Sequence, residues 1–273
     1  SRGWSLPASG CDAGGAGPQT LVKKSIPDME LSGKTVLLRA DFNVPFHPGS
    51  AEISDDSRIR ATLPTLRHLL HEGCRVVACS HLGRPKGEVV EHLRMAPVAS
   101  RLRDLSDSPV VTADDCVGPP VKAAVERLAP GETLMLENLR FHAEEEANDP
   151  AFAQELASVA DVFVNDAFGA AHRAHASTVG VTEHLPAVAG MLMARELEML
   201  GAALSAPKRP CIAVLGGAKV SDKLAALVNL AGIVDTIIVG GGMAATFLKA
   251  RGLQTGHSLV EDEWITEVAR LES

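Results

Sequence analysis

Three neighbouring stretches decide the fold: TVLLRADF at 35–42, RATLPTLRHLLHEG at 60–73 and RVVACSHL at 75–82. A short apolar run, a longer helical stretch and a second short apolar run follow one another. The rhythm continues through VASRLRDL (98–105), TLMLENLRF (133–141), AFAQELASVA (151–160) and VFVNDAFG (162–169). Short apolar strands alternating with helices predict an α/β fold built on a mostly parallel sheet.

Further along, GMLMARELEMLGAALSA (190–206) reads as one long helix with apolar positions at Leu192, Met193, Leu197, Leu200 and Leu204, ended by Pro207 and Pro210. A new Gly-rich series then starts, CIAVLGGAKVSDKLAALVNL (211–230) and TIIVGGGMAATFLKA (236–250), with the beginning of a third helix at DEWITEVARL (262–271). The expected organisation is a flexible tail over 1–20, a Rossmann-like first domain over 21–188, an interdomain helix over 189–206 and a second α/β domain over 207–273. Two strands cannot form a sheet covered on both faces, so that second domain is expected to be incomplete. The tail, SRGWSLPASGCDAGGAGPQT, is rich in Gly, Ala, Ser and Pro and lacks hydrophobic periodicity.

The 273 residues carry 26 Lys+Arg against 34 Asp+Glu, a net charge of −8 with histidine neutral. This balance argues against nucleic-acid binding by bulk charge, which calls for a basic surface. With 3% aromatics and no tyrosine there is also little to stack on bases. An apolar share of 46% with 22% charged residues supports a packed core and excludes whole-chain disorder. No apolar run reaches the ~20 residues that span a bilayer, and no secretory leader is recognisable, so a soluble protein is expected. Five cysteines, Cys11, Cys74, Cys79, Cys116 and Cys211, with no Cys-x-x-Cys pair, predict free and mostly buried thiols in a reducing, cytoplasmic setting.

Four expected strands each end in polar residues: Asp41 and Asn43 after TVLLR, His81 and Arg84 after VVACS, Arg140 after TLMLEN, and Arg173 after VFVND. Ligands of open α/β sheets bind outside the carboxyl ends of the strands, so these residues converge on one rim. The arginines offer planar forks suited to phosphate or carboxylate, His81 adds a donor, and Asp41 and Asn43 suit hydroxyl groups. A small anionic metabolite bearing hydroxyls is implied. The run Glu144–Glu146 reads as a solvated, helix-leading charge run.

Gly216-Gly217-Ala218-Lys219-Val220-Ser221-Asp222-Lys223 lies between the strand CIAVL and the helix DKLAALVNL. Its glycines let backbone N–H groups approach phosphate oxygens at a helix N-terminus, and Lys219 and Lys223, four apart, are expected on one face. It is not the G-x-x-x-x-G-K-[ST] loop, and no G-x-G-x-x-G with a later acidic residue supports a dinucleotide oxidoreductase. Gly240, Gly241 and Gly242 form a second strand-to-helix link that suits close approach of a flat ring or sugar, although such glycines often serve packing alone. An anion site on one domain and a phosphate cradle on another are the division of labour that phosphoryl transfer needs.

RADFNVP (39–45), SRIRATLPT (57–65), SHLGRPKG (80–87), LENLRFHAEEE (136–146), VNDAFGAAHRAHAS (164–177), VLGGAKVSDK (214–223) and IVGGGMAATFL (238–248) occur in one order and spacing. In these strings the chain, from about Ile26 to its end, closely resembles the phosphoglycerate kinase family. The resemblance implies reversible transfer between 1,3-bisphosphoglycerate and ADP, giving 3-phosphoglycerate and ATP with Mg2+ supplied alongside the nucleotide, by a cytoplasmic monomer with no nucleic-acid or membrane partner. It implies that His81, Arg84, Arg140 and Arg173 hold the non-transferred phosphate, with Asp41 and Asn43 at the carboxyl and hydroxyl end. Arg58 and Lys219 would act catalytically by neutralising the phosphoryl group in flight. Gly216, Gly217 and Lys223 would meet nucleotide phosphates, and Gly240, Gly241 and Gly242 would line the adenosine pocket. Glu196 is a candidate for contacts across the hinge helix. The chain departs from the family in length: the later nucleotide-domain strands, the Asn-Gly-Pro segment and the Gly-Gly-Asp-Thr loop are not among its residues. An alternative reading is therefore a catalytically inactive form that binds a metabolite or a partner.

Overall fold

The computed structural model describes residues 24–271; the expected tail over 1–20 and Cys11 lie outside the described residues. The described chain divides after Glu198 into two compact units.

The first unit runs through β1 (Thr35–Arg39), α1 (Ser57–His71), β2 (Arg75–Cys79), α2 (Ala96–Ser106), β3 (Val110–Thr112), α3 (Pro119–Arg127), β4 (Thr133–Met135), α4 (Ala143–Ala147), α5 (Pro150–Ala157), β5 (Val162–Asn165) and β6 (Ala187–Ala189). All six strands are parallel, in the order β3-β4-β2-β1-β5-β6. The α/β parallel-sheet architecture is thus as the sequence predicts. Strand β1 sits in the middle, with Val36 beside Val76 of β2 and Val162 of β5.

A strand walled on both faces needs apolar residues at consecutive positions, and TVLLR is buried throughout. Because successive side chains point to opposite faces, Val36 and Leu38 join Ile59, Leu63 and Leu66 of α1 and Val98 and Leu102 of α2. Leu37 joins Phe163 of β5, Val121 and Val125 of α3, and Phe152 and Leu156 of α5. Each such side chain, fully buried, contributes about 1.5–3 kcal/mol relative to an exposed one. The same period of two puts Arg39 on the α3–α5 face, where it is 1% exposed. A charged side chain at that depth requires partners, and the site depends on which ones it has.

Helix α6 (Met191–Ser205) spans the division between the units. In the first unit its N-terminus is capped by the buried Asp166, whose Oδ1 accepts from the amides of Leu192 (2.9 Å) and Met193 (3.3 Å). Burial raises the Asp166 carboxyl, against the hydrogen bonds of Thr65, Met193 and Leu192. Gly190 lies directly against this cap: a Cβ there would stand 2.1 Å from Asp166 Oδ1.

The second unit contains β7 (Ile212–Gly216), α7 (Leu224–Ala231), β8 (Thr236–Gly240), α8 (Met243–Ala250) and α9 (Ile265–Leu271). Strands β7 and β8 pair in parallel. Leu215, Ile237 and Val239 pack on a small core of Val220, Leu227, Met243 and Val268. On the opposite face Ile212, Val214 and Ile238 are exposed, Val214 at 74%. This is the uncovered face that two strands with helices on one side leave.

Candidate functional site

The ladder of β1, β2, β4 and β5 continues past the strand ends, with Ala40 N donating to Cys79 O (3.0 Å), Asp166 N to Arg39 O (2.9 Å) and Leu139 N to Ser80 O (3.1 Å). The four following segments therefore emerge side by side. Buried Asn138 fastens two of them: its Oδ1 accepts from the amides of Leu82 and Arg140, both at 3.1 Å, and its Nδ2 donates to Leu82 O (2.8 Å) and Leu93 O (3.0 Å). Asn43 fastens a third, its Oδ1 accepting from Gly83 N at 2.8 Å. Gly83 has φ +62°, and its carbonyl accepts from Arg140 Nη1 at 2.8 Å, so the turn carrying the exposed Arg84 is held from both sides. On the β5 segment, Gly169 comes so near that a Cβ would be 2.9 Å from Asp41 Oδ2. Arg58, in the first turn of α1, is ion-paired with the same Asp41 oxygen.

The structure therefore gathers Asp41, Asn43, Arg58, His81, Arg84, Arg140 and Arg173 at one end of one sheet, with a positive centre. Arg140 is buried and its Nε lies 3.1 Å from Glu146 Oε1, at an angle that makes an ion pair without a hydrogen bond. Burial lowers the Arg140 guanidinium from its ordinary value; Glu146 opposes this, and the charges of Arg173 and Arg39 add to it. Half-buried Arg173 has Nε 3.3 Å from His172 Nε2. His81 is depressed to about 2, first by burial and then by the charges of Arg39, Arg140, Arg173 and His175. At neutral pH its imidazole is uncharged. Guanidinium groups crowded together, with a neutral donor among them, form a receptor for an oxyanion.

Sequence reasoning did not single out Arg39, His175 or Ser177, and it misread Glu145. Arg39 donates from Nε to Ser177 Oγ (2.9 Å), from Nη1 to Ala40 O, and from Nη2 to His81 Nδ1 (3.1 Å). Ser177 in turn donates from Oγ to Glu145 Oε1 (2.6 Å) and from its amide to Oε2 (2.9 Å), and His175 Nδ1 lies 3.6 Å from Oε1. Glu145 is 0% exposed, which corrects the reading of Glu144–Glu146 as a solvated run. Burial alone would raise its carboxyl; the nearby His175 imidazole, the charge of Arg39 and the two Ser177 donors overcome this and hold it below the usual range. One signal was available, for Arg39: a charge at an inward position of an otherwise apolar strand.

The cysteines of the described chain are free, with Cys74, Cys79 and Cys116 buried and Cys211 half-buried. Asp115, Cys116 and His142 bring ligand-type atoms within 4.8 Å of one another. Their atoms are already committed, however. Cys116 Sγ donates to Glu137 O (3.0 Å), His142 Nε2 meets Asp115 Oδ1 (2.6 Å), and burial first, then Asp115, pushes the Cys116 thiol well above its ordinary value.

In the second unit the exposed Lys219 and Lys223 lie in the β7–α7 connection. Helix α7 begins at Leu224, with Lys223 as N-cap, so the two lysines do not share a helical face as expected. Glu261 seats this connection: Oε2 accepts from the amides of Val220 (2.5 Å) and Ser221 (3.1 Å), and Oε1 from Ser221 Oγ (2.6 Å). The Ser221 hydroxyl, with the two amides and Lys219, holds the Glu261 carboxyl below its usual range against desolvation. Gly240 closes β8, and Gly241 (φ +70°) and Gly242 bring backbone onto backbone: added Cβ atoms would be 2.9 Å from Gly217 O and from Ala218 O. Met243 N donates to Gly217 O at 2.9 Å. Gly241 and Gly242 thus meet a packing requirement between the two loops, whereas a Cβ at Gly216, Gly217 or Gly240 would stand at ordinary contact distance.

The sequence profile of the phosphoglycerate kinase family matches residues 26–273. A phosphoglycerate kinase of Moorella thermoacetica is 58% identical over 245 residues, covering 90% of this chain and 62% of that protein. One of Rippkaea orientalis is 54% identical over 257 residues, covering 93% and 64%. Among solved structures, the phosphoglycerate kinase of Coxiella burnetii superposes with a TM-score of 0.79 at 39% identity, covering 92% of this chain and 62% of that one. The chain thus spans a little under two thirds of the length of these relatives.

Proposed function

The chain belongs to the phosphoglycerate kinase family, and on that premise we propose that it serves reversible phosphoryl transfer between 1,3-bisphosphoglycerate and ADP, giving 3-phosphoglycerate and ATP. The observation that carries this reading is the cationic rim of the first unit, where Arg39, Arg140 and Arg173 surround an uncharged His81. In it, His81, Arg84, Arg140 and Arg173 bind the non-transferred phosphate of the glycerate. Asp41 and Asn43 orient its hydroxyl and carboxyl end, and Arg58 releases Asp41 to neutralise the moving group. No general base is needed, because the acceptor in the reverse direction is a carboxylate, ionised at neutral pH. The work of these residues is alignment and charge neutralisation.

On the second unit, Lys219 neutralises the group from the nucleotide side. Lys223 and the Gly216–Gly217 turn meet nucleotide phosphates, and Gly240–Gly242 line the adenosine pocket. The described residues do not fit a resident magnesium cage. Both oxygens of Glu261 are committed to Val220 and Ser221, and the one cluster of three potential ligands among the described residues, Asp115, Cys116 and His142, belongs to the first unit. Mg2+ therefore enters as the Mg-nucleotide substrate, and this chain's residues take the steps described. Among the described residues no helix is long and apolar enough to cross a membrane.

A coupled assay for ATP formation from 1,3-bisphosphoglycerate, with calorimetry of 3-phosphoglycerate binding on the same sample, tests the reading. Turnover with binding supports the kinase. Binding without turnover assigns the metabolite-binding alternative, and a folded sample with neither overturns both.

A further inference from the structure

Resting on the reading that the rim takes the glycerate phosphate, we propose that Arg39 is a positioning residue: braced by Ser177 and Glu145, it locks His81 as the Nε2–H tautomer, so that a neutral imidazole presents a single donor to the bound phosphate. The chain of contacts is continuous. Glu145 holds Ser177 through both carboxylate oxygens (2.6 and 2.9 Å), Ser177 Oγ accepts from Arg39 Nε (2.9 Å), and Arg39 Nη2 lies 3.1 Å from His81 Nδ1. A guanidinium only donates, so Nδ1 must accept, and the ring proton is left on Nε2.

This arrangement solves an electrostatic problem. An imidazolium beside three arginines is disfavoured, and a ring free to switch tautomer would offer the phosphate a lone pair part of the time. Arg39 removes the second possibility by occupying Nδ1, and Glu145 compensates the Arg39 charge inside the core, where an uncompensated guanidinium is costly. The charged and titratable groups bearing on His81 are Arg39 on β1, Arg140 after β4, and Arg173 and His175 after β5, while Glu145 on α4 acts on Arg39. Burial first, and these positive neighbours after it, keep the ring neutral, so the His81 contribution to anion binding does not change between pH 5 and 8.

The test uses the full chain with 15N-labelled histidine, following His81 by long-range 1H–15N correlation without ligand, alongside 3-phosphoglycerate affinity from pH 5 to 8. Wild type is expected to show Nε2 protonated, Nδ1 unprotonated and no titration in that interval. Ser177→Ala, which loosens Arg39 without emptying its position, is expected to give mixed tautomers and to weaken 3-phosphoglycerate by about three- to tenfold. Arg39→Met, which takes the donor away from Nδ1, is expected to give mixed tautomers and weaker 3-phosphoglycerate binding as well, while the ring stays uncharged in its buried site. A purely structural role would lower stability in these variants and leave the tautomer untouched. Such a result, or a wild-type His81 protonated on Nδ1 or titrating near neutrality, overturns the proposal. A wild-type His81 of the expected tautomer in a protein that fails to bind 3-phosphoglycerate overturns the functional reading and leaves the lock standing.

Discussion

Replacing Glu145 by alanine removes the carboxylate that compensates Arg39 in the core. Exposed ion pairs contribute about 0–1 kcal/mol, whereas removing one partner of a buried pair costs about 3–5 kcal/mol because the other charge is stranded. Which range applies is set by burial: Glu145 is 0% exposed, Arg39 1%, and the intervening Ser177 is buried as well. The larger range is expected. A chain of two units need not unfold in one step, so the quantity to read is native-state hydrogen exchange at the β1 amides Val36–Arg39. A loss of about 3 kcal/mol there lowers protection by more than about a hundredfold. The pH dependence follows from the depressed Glu145 carboxyl. Its stabilisation is fully present above the unfolded value of about 4.3 and is lost as pH falls through the lower folded value. The gap between wild type and Glu145→Ala is therefore full at pH 7 and closes in acid. Glu145→Gln, which keeps an acceptor for Ser177 and loses the charge, falls between the two. A loss under about 1 kcal/mol at pH 7, the value of an exposed pair, or a gap independent of pH, refutes the buried-network account.

Gly190→Ala drives a methyl into the Asp166 cap of α6 and is expected to destabilise the first unit by about 1–3 kcal/mol, read by thermal or denaturant unfolding; an unchanged midpoint contradicts the 2.1 Å approach. Glu261→Ala releases the amides of Val220 and Ser221, and trypsin is expected to cut at Lys219 and Lys223 faster than in wild type. The wild-type connection itself should loosen as pH falls through the depressed Glu261 value. Burial pushes the Cys74 thiol to about 11 and that of Cys79 to about 12. Among Cys74, Cys79, Cys116 and Cys211, brief alkylation of the native chain should therefore label Cys211 first, as peptide mass spectrometry would show.

The α/β class and the four strands that position the rim were legible because a parallel sheet buried on both faces demands uninterrupted apolar runs such as TVLLR and VFVN. The edge strands β3 and β6, three residues each, carried no such demand: Val111 of β3 is exposed, and beyond β5 the strand β6 has only the bridge of Ala189 to Ser25. The polar residues that close each strand were legible as a set, and they do meet at one end of the sheet. Arg39 was passed over because it sits inside the string that marks the strand. Glu145 was misjudged because its neighbours Glu144 and Glu146 are solvated, and only the tertiary position of Ser177 distinguishes it. The loop between β7 and α7 was read as a place for phosphate. Within it the Val220 and Ser221 amides serve a carboxylate from forty residues further on, a pairing that no local pattern encodes.

We propose that the arginine-rich rim of the first unit binds the phosphate of a three-carbon sugar acid. Titration of 3-phosphoglycerate into the folded chain by calorimetry, repeated with rising salt and with Arg84→Ala and Arg173→Ala, tests it most directly. Saturable one-to-one binding is expected, weakening with salt and falling by about ten- to a hundredfold in either variant through the loss of a hydrogen bond to a charged group. A folded wild-type chain that gives no saturable heat, or binding unaffected by both substitutions, contradicts it.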